Sequence, residues 1–195
     1  MPPVSPNTAL VVIDVQRGIL DVPNRQRKHE TREALDETVG RIAGLIARAR
    51  GATIPVIYVQ HDGGTGHRLE PNTPGWPLRP EIAPGPGEPV LHKRACDAFF
   101  QTSLEAELSA RSIQRLVIAG CMTQYCIDTT VRRAVSLGYD VVLVADGHMT
   151  ADSGSLRFEQ IITHHNALLD GFDAGDHEVA VRPSSEISLQ SLARA

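Results

Sequence analysis

Aromatic residues make up only 4% of this 195-residue chain, and tryptophan occurs once. A platform that stacks bases needs several aromatic side chains close together, so that mode of nucleic-acid binding fits poorly. Positive charge is not in excess either. Nineteen Lys and Arg against 23 Asp and Glu leave a net charge of −4, which gives a phosphate backbone no general basic surface to follow. There is no long uncharged apolar run, so no membrane span is expected. The opening MPPVSPNTAL lacks a basic stretch followed by an apolar one, so a secretory leader is not expected. Cysteine is scarce and odd in number, three in all. A disulfide framework is therefore not expected, and a reducing cytoplasm is the natural setting.

Hydrophobic residues are plentiful, at 42%, enough for one well-buried core, and a single domain over 1–195 is expected. TALVVIDV, Thr8 to Val15, reads as a strand buried on both faces and closed by a carboxylate. QRGILDVPNRQRK follows with loop signals. Between Thr31 and Arg50 the residues Leu35, Val39, Ile42, Leu45, Ile46 and Ala49 recur at helical spacing, with Gly51 as a candidate C-cap. TIPVIYVQ, Thr53 to Gln60, is a second strand whose Pro55 suits a start or an edge. A long Gly- and Pro-rich loop spans His61 to Pro89; loops of that length in a compact domain are functional or disordered. VLHK is a short strand, and Thr102 with Glu105 has the capping-box spacing before a helix containing Leu104 and Leu108. RLVIAG, DVVLVAD and HEVAV are further strands, separated by helices over Thr123–Leu137 and Ser155–Leu169.

Strands alternating with helices imply an α/β fold: a doubly wound, Rossmann-like, three-layer α/β/α arrangement around a parallel sheet of about six strands. Ligands of such sheets bind outside the carboxyl ends of the strands. Asp14, Lys93 and the segment Gly120–Cys126 all fall at such ends. Cys126 would lie in the first turn of a helix, where partial positive charge and unpaired N–H groups favour a thiolate. It is either a nucleophile or a buried small hydrophobe. Taken singly, Lys93 fits a solvated loop and Asp14 a loop cap. Together the three supply a nucleophile, a proton acceptor and a cation, and the helical turn adds oxyanion donors. That set fits acyl transfer from a carbonyl to water.

VVIDVQRG, HKRACDAFFQTSLEAEL and VIAGCMTQYCIDTTVRRAVSLGYDVVLVADGHMT, in this order and spacing, resemble the isochorismatase-like cysteine hydrolase family. The resemblance implies that Asp14, Lys93 and Cys126 are the catalytic residues, with Cys126 the nucleophile. It implies an oxyanion hole from the backbone N–H groups of Met122 and Cys126, and a non-proline cis peptide between Cys121 and Met122. The activity it implies is amide hydrolysis through a thioester, on a small-molecule substrate, by a dimer or tetramer. Vinyl-ether hydrolysis of isochorismate is the family's alternative. Outside catalysis, a binding module or a thiol sensor using Cys121 and Cys126 is the competing reading.

Nicotinamidases of that family hold a metal through an Asp-x-His pair after the second strand. Here those positions read Gln60 and Asp62, around His61, so neither metal nor other cofactor is expected, although His61, Asp62 and His67 are the residues that would form such a site. The aromatic residue those members carry five positions after the aspartate is Ile19 here, which argues against stacking on a pyridine ring. Further pocket candidates are Gln16, placed to hydrogen-bond near Asp14; Trp76, a lid or a subunit contact; and Tyr125, a pocket or core residue. His164 and His165 are adjacent on a helix and point in different directions, which argues against a two-ligand metal site.

Overall fold

The computed structural model describes residues 7–21, 27–187 and 189. The N-terminal residues 1–6 and residues 22–26 of the expected loop after Gln16 lie outside these. All six expected strands form: β1 (Thr8–Ile13), β2 (Val56–His61), β3 (Val90–Lys93), β4 (Arg115–Cys121), β5 (Asp140–Met149) and β7 (His177–Arg182). A seventh, β6 (Asp173–Ala174), adds a two-residue antiparallel edge to β7. The order is β3-β2-β1-β4-β5-β7-β6, and every pairing except β6–β7 is parallel. The chain order reverses at β1–β4, so the carboxyl ends of those strands flank a topological switch point.

The helices are α1 (Lys28–Gly51), α2 (Leu104–Ala110), α3 (Asp128–Ser136) and α4 (Phe158–Leu169). Alternate residues of β1 feed different cores, as strand geometry requires. Leu10 and Val12 pack with Leu35, Val39, Ile42 and Ile46 of α1. Ala9, Val11 and Ile13 pack with Leu104 and Leu108 of α2 and Val131 and Val135 of α3. No helix among the described residues is long and apolar enough to cross a membrane.

Three local expectations shift. Gly51 is the last helical residue rather than the cap; Ala52 caps, and Thr53 takes the left-handed turn at φ 55°. β2 begins after Pro55, whose carbonyl accepts from the Leu10 N–H at 2.9 Å. The capping box at Thr102 and Glu105 does not form, because Ser103 is the N-cap. The Thr102 hydroxyl instead donates to the Ala98 carbonyl at 2.6 Å and accepts from the Leu104 N–H at 3.2 Å.

The long loop is ordered because the chain after β1 is sewn to it. Arg17 and Gly18 donate backbone N–H groups to Pro77 and Gly75, and Arg79 donates to Val15, each within 3.0 Å. A Cβ on Gly75 would lie 2.3 Å from the Arg68 carbonyl oxygen, so only glycine allows the approach.

Candidate active site

Each of the three candidate side chains stands at or after the carboxyl end of a different strand. After β1, Asp14 turns the chain with φ 52°, a conformation rare outside glycine and concentrated at functional sites. Lys93 is the last residue of β3. β4 ends at Cys121, joined to Met122 by a cis peptide, and a five-residue π turn, Thr123–Ile127, carries Cys126 into α3. The expected helix from Thr123 thus opens in the wider π form, with Met122 rather than Thr123 at its cap; such turns recur at functional sites. Gly120 fits because a Cβ there would lie 2.0 Å from the Ile13 carbonyl oxygen of β1.

Lys93 Nζ stands 2.6 Å from Asp14 Oδ2 and 3.1 Å from Cys126 Sγ, and donates to the Ala95 carbonyl at 2.9 Å. The ion pair is closed to solvent, with side-chain exposures of 0% and 1%, while Cys126 is 9% exposed. The lysine meets the carboxylate charge to charge, and no well-aligned hydrogen bond among the described residues saturates either Asp14 oxygen. Asp14 and Cys126 are close enough for each to shift the other's proton affinity. Burial, then the neighbouring Cys126, raise the Asp14 pKa well above the ordinary carboxylate value, against the pull of Lys93. Burial opposes the charge on Lys93, but Asp14 and Cys126 outweigh it, so its pKa is raised and it stays an ammonium. A buried base of raised proton affinity beside a fixed cation is suited to taking a thiol proton.

The third cysteine is the residue the sequence reading missed. Cys96 is exposed, and its thiol lies close enough to that of Cys126 for each to shift the other's proton affinity. Its backbone is fixed to the same helix, because the Thr130 hydroxyl donates to the Cys96 carbonyl at 3.4 Å and accepts from the Ala98 N–H at 3.1 Å. The contact with Cys126, helped by Lys93, lowers the Cys96 pKa to about 6. The same contact, then burial, push the Cys126 thiol up, against Lys93 and Asp14. The helix start alone therefore does not make Cys126 acidic at rest. Cys121 is fully buried in the apolar core, and burial raises its pKa strongly. The thiol beside Cys126 is Cys96, three residues after Lys93, a position whose only signal was that it follows a strand's carboxyl end.

The four pocket candidates separate. Gln16 is fully buried and spends its amide on backbone: Nε2 donates to the carbonyls of His61 at 3.0 Å and Trp76 at 2.7 Å, and Oε1 accepts from the His61 N–H at 3.0 Å. It clamps the loop rather than facing a ligand. Gln60 Nε2 holds the same Trp76 carbonyl at 2.8 Å. Ile19 is 3% exposed and belongs to the core; its carbonyl accepts from Arg68 Nε at 2.9 Å, and Arg68 Nη2 reaches the Met122 sulfur at 3.6 Å. A guanidinium from the long loop thus stands beside the turn, another residue the sequence did not single out. Trp76 donates to Asp62 Oδ1 at 2.8 Å and stacks on His92, with ring centroids 5.7 Å apart. Tyr125 is 48% exposed, so it is a surface residue next to the nucleophile candidate and not part of the core.

Asp62, His92, Lys93, Ala95 and Phe100 line a cavity of about 310 Å³ that reaches the buried lysine. A larger one, about 650 Å³, lies along β4, β5 and β7, and none of Asp14, Lys93 and Cys126 lines it. Among the described residues no three His, Cys, Asp or Glu side chains are grouped to hold a metal. Asp62 engages Trp76 and His92. His61 is shifted down to about 4 by burial and by Lys93. Beneath the π turn, buried His148 bridges Thr123 Oγ1 at 2.9 Å and Asn166 Oδ1 at 2.8 Å.

Comparison with known proteins places the geometry in context. The family model for the isochorismatase domain matches residues 8–164. A streptothricin hydrolase of Streptomyces noursei is 40% identical over 144 residues, which are 74% of this chain and 50% of that protein. The chain therefore spans about half the length of this relative. The ureidoacrylate amidohydrolase RutB of Stutzerimonas stutzeri is 28% identical over 174 residues, 71% of this chain and 68% of that one. Among solved structures, an isochorismatase from Pseudomonas putida KT2440 superposes with a TM-score of 0.83 at 31% identity, covering 96% of this chain and 93% of its own.

Proposed function

This chain belongs to the isochorismatase family, and from that premise we propose that it is a cysteine amidohydrolase acting on a small amide. The observation that carries the reading is one ammonium in contact with both a buried carboxylate, at 2.6 Å, and the Cys126 thiol, at 3.1 Å and 9% exposed. Relatives that hydrolyse streptothricin and ureidoacrylate support C–N bond cleavage as the reaction class.

In this mechanism Asp14 takes the Cys126 proton, and Lys93 holds the thiolate and carboxylate in place. The sulfur attacks the amide carbon. The backbone N–H groups of Met122 and Cys126 receive the developing oxyanion. The amine leaves with the proton held by Asp14, and a thioester remains. Water, activated by the same carboxylate, then frees the acid and restores the thiol.

The test is a panel of small amides, followed by amine or ammonia release, with the wild type and Cys126→Ala. Turnover by the wild type together with a drop of at least about 1,000-fold in the variant is expected, the scale seen when a covalent nucleophile is deleted. Accumulation of an acyl-enzyme by mass on rapid quench is the second expected result. Full amine release without Cys126 would refute the thioester route, and turnover of isochorismate that survives Cys126→Ala would turn the assignment to vinyl-ether hydrolysis.

A further inference from the structure

Resting on Cys126 as the nucleophile, we infer that Cys96 is an oxidation site whose sulfenic acid condenses with Cys126, giving an intramolecular disulfide that blocks the active site reversibly. Four observations converge. The two thiols are close enough that each shifts the other's proton affinity. Cys96 is exposed while Cys126 is 9% exposed and Cys121 is fully buried, so an oxidant in solution meets Cys96 first. Both sulfurs are carried on anchored backbone: Thr130, one helical turn beyond Cys126, bonds the Cys96 carbonyl at 3.4 Å, and Lys93 joins the Ala95 carbonyl at 2.9 Å to the Cys126 sulfur at 3.1 Å. The contact that lowers the Cys96 pKa to about 6 also supplies the thiolate that a peroxide consumes.

The chemistry balances with a hydroperoxide as oxidant. The Cys96 thiolate attacks one peroxide oxygen; an S–O bond forms, the O–O bond breaks, and the departing hydroxide takes up a proton to leave as water. The Cys126 sulfur then attacks the Cys96 sulfur. An S–S bond of about 2.05 Å forms, the S–O bond breaks, and the Cys126 proton leaves with the hydroxide as a second water. Two thiols have lost two electrons and hydrogen peroxide has gained them. With its sulfur in the disulfide, Cys126 cannot attack a carbonyl until a reductant restores it. A nucleophile so protected is spared the irreversible steps to sulfinic and sulfonic acid. The sensor pair weighed from sequence, Cys121 with Cys126, is thereby replaced by a pair in which one member reaches solvent.

The experiment treats full-length protein with hydrogen peroxide and reads the product without any substrate. Loss of two hydrogens from the intact mass is expected, with tryptic peptide 95–111 linked to 116–132 and fragmentation placing the link at Cys126. Dithiothreitol should reverse the linkage in the wild type. Cys96→Ser should form no link and carry Cys126 on to sulfinic acid, while Cys121→Ser should behave as the wild type. Once a substrate is in hand, activity relative to each variant's own untreated rate should recover with dithiothreitol in the wild type and not in Cys96→Ser. A Cys121–Cys126 link, a link only between chains, or direct sulfinylation of Cys96 without a link would overturn the inference. These outcomes are separate from failure of the nucleophile assignment, which shows as an active Cys126→Ala.

Discussion

Replacing Gln16 by Ala isolates what holds the long loop over the site. The side chain makes three buried hydrogen bonds to backbone, two to His61 and one to Trp76, at 2.7–3.0 Å. At a net value of about 1 kcal/mol each, their loss removes about 3 kcal/mol of stability. Both His61 backbone groups lose their partner on Gln16, whereas the Trp76 carbonyl keeps Gln60. Gln60→Ala breaks only that one bond and should cost about 1 kcal/mol. Gln16→Glu should lose more than Gln16→Ala, because a carboxylate oxygen would replace the donor facing two carbonyls. Urea denaturation measures all three, with the slope unchanged if the unfolded state is unaffected. In thermal melts, Gln16→Ala should drop by about 6–12 °C and Gln60→Ala by about 2–4 °C. The Gln16 variants should also be nicked by protease within 61–89 before the rest of the chain unfolds. Equal losses for Gln16→Ala and Gln60→Ala would refute the clamp and return Gln16 to the substrate side.

Two further predictions concern buried charge. Lys93→Met leaves Asp14 without its cation and should destabilise by about 3 kcal/mol, the low end for breaking a buried pair because the carboxyl, already of raised pKa, can take a proton; the Asp14→Asn, Lys93→Met double variant should lose less than the sum of the singles, and simple additivity would refute the coupling. His148 is held neutral, its pKa lowered from 6.5 to about 4 by burial. Its contribution to stability is complete above pH 6.5 and is lost as pH falls toward 4, up to roughly 3 kcal/mol. Unfolding free energy measured between those pH values should fall less steeply for His148→Gln than for the wild type, and equal slopes would refute the assignment.

The parts legible from sequence were those fixed by pattern. Apolar β-branched runs alternating with helical periods dictate parallel strands, and parallel strands put their carboxyl ends on one edge. Asp14, Lys93 and Cys126 could therefore be brought together before any coordinates. The two-residue strand β6, paired with β7 at the sheet edge, is too short to carry a period to read. Other features depend on side-chain bonds across long separations. Gln16 and Gln60 fix the 61–89 loop from 45 and 60 residues away in the first case, and no local composition encodes that. Likewise Thr102 has the spacing of a cap, but its hydroxyl is taken by Ala98. Cys96 could be placed only once Thr130 was seen to draw the chain after β3 onto α3.

That placement changes what sets the proton affinity of Cys126, the proposed nucleophile. A thiol at a helix start beside a lysine invites the reading that it rests as a thiolate, yet here the neighbouring Cys96 raises the Cys126 pKa while its own is lowered. Its hydrogen-bond contact is the largest influence raising Cys126, ahead of burial, while Lys93 and Asp14 act in the opposite sense. Removing it with Cys96→Ala should therefore lower the Cys126 pKa, since the two stabilising neighbours remain. The sign is testable by the rate of iodoacetamide labelling at each cysteine against pH, resolved by peptide mass. In the wild type, label should appear first on Cys96, with a midpoint near its pKa of about 6. In Cys96→Ala, the midpoint for Cys126 should move to lower pH, and the acid limb of any amidase pH profile should move with it. A Cys126 profile that stays in place would mean that burial alone sets its proton affinity and that the neighbouring thiol is a bystander.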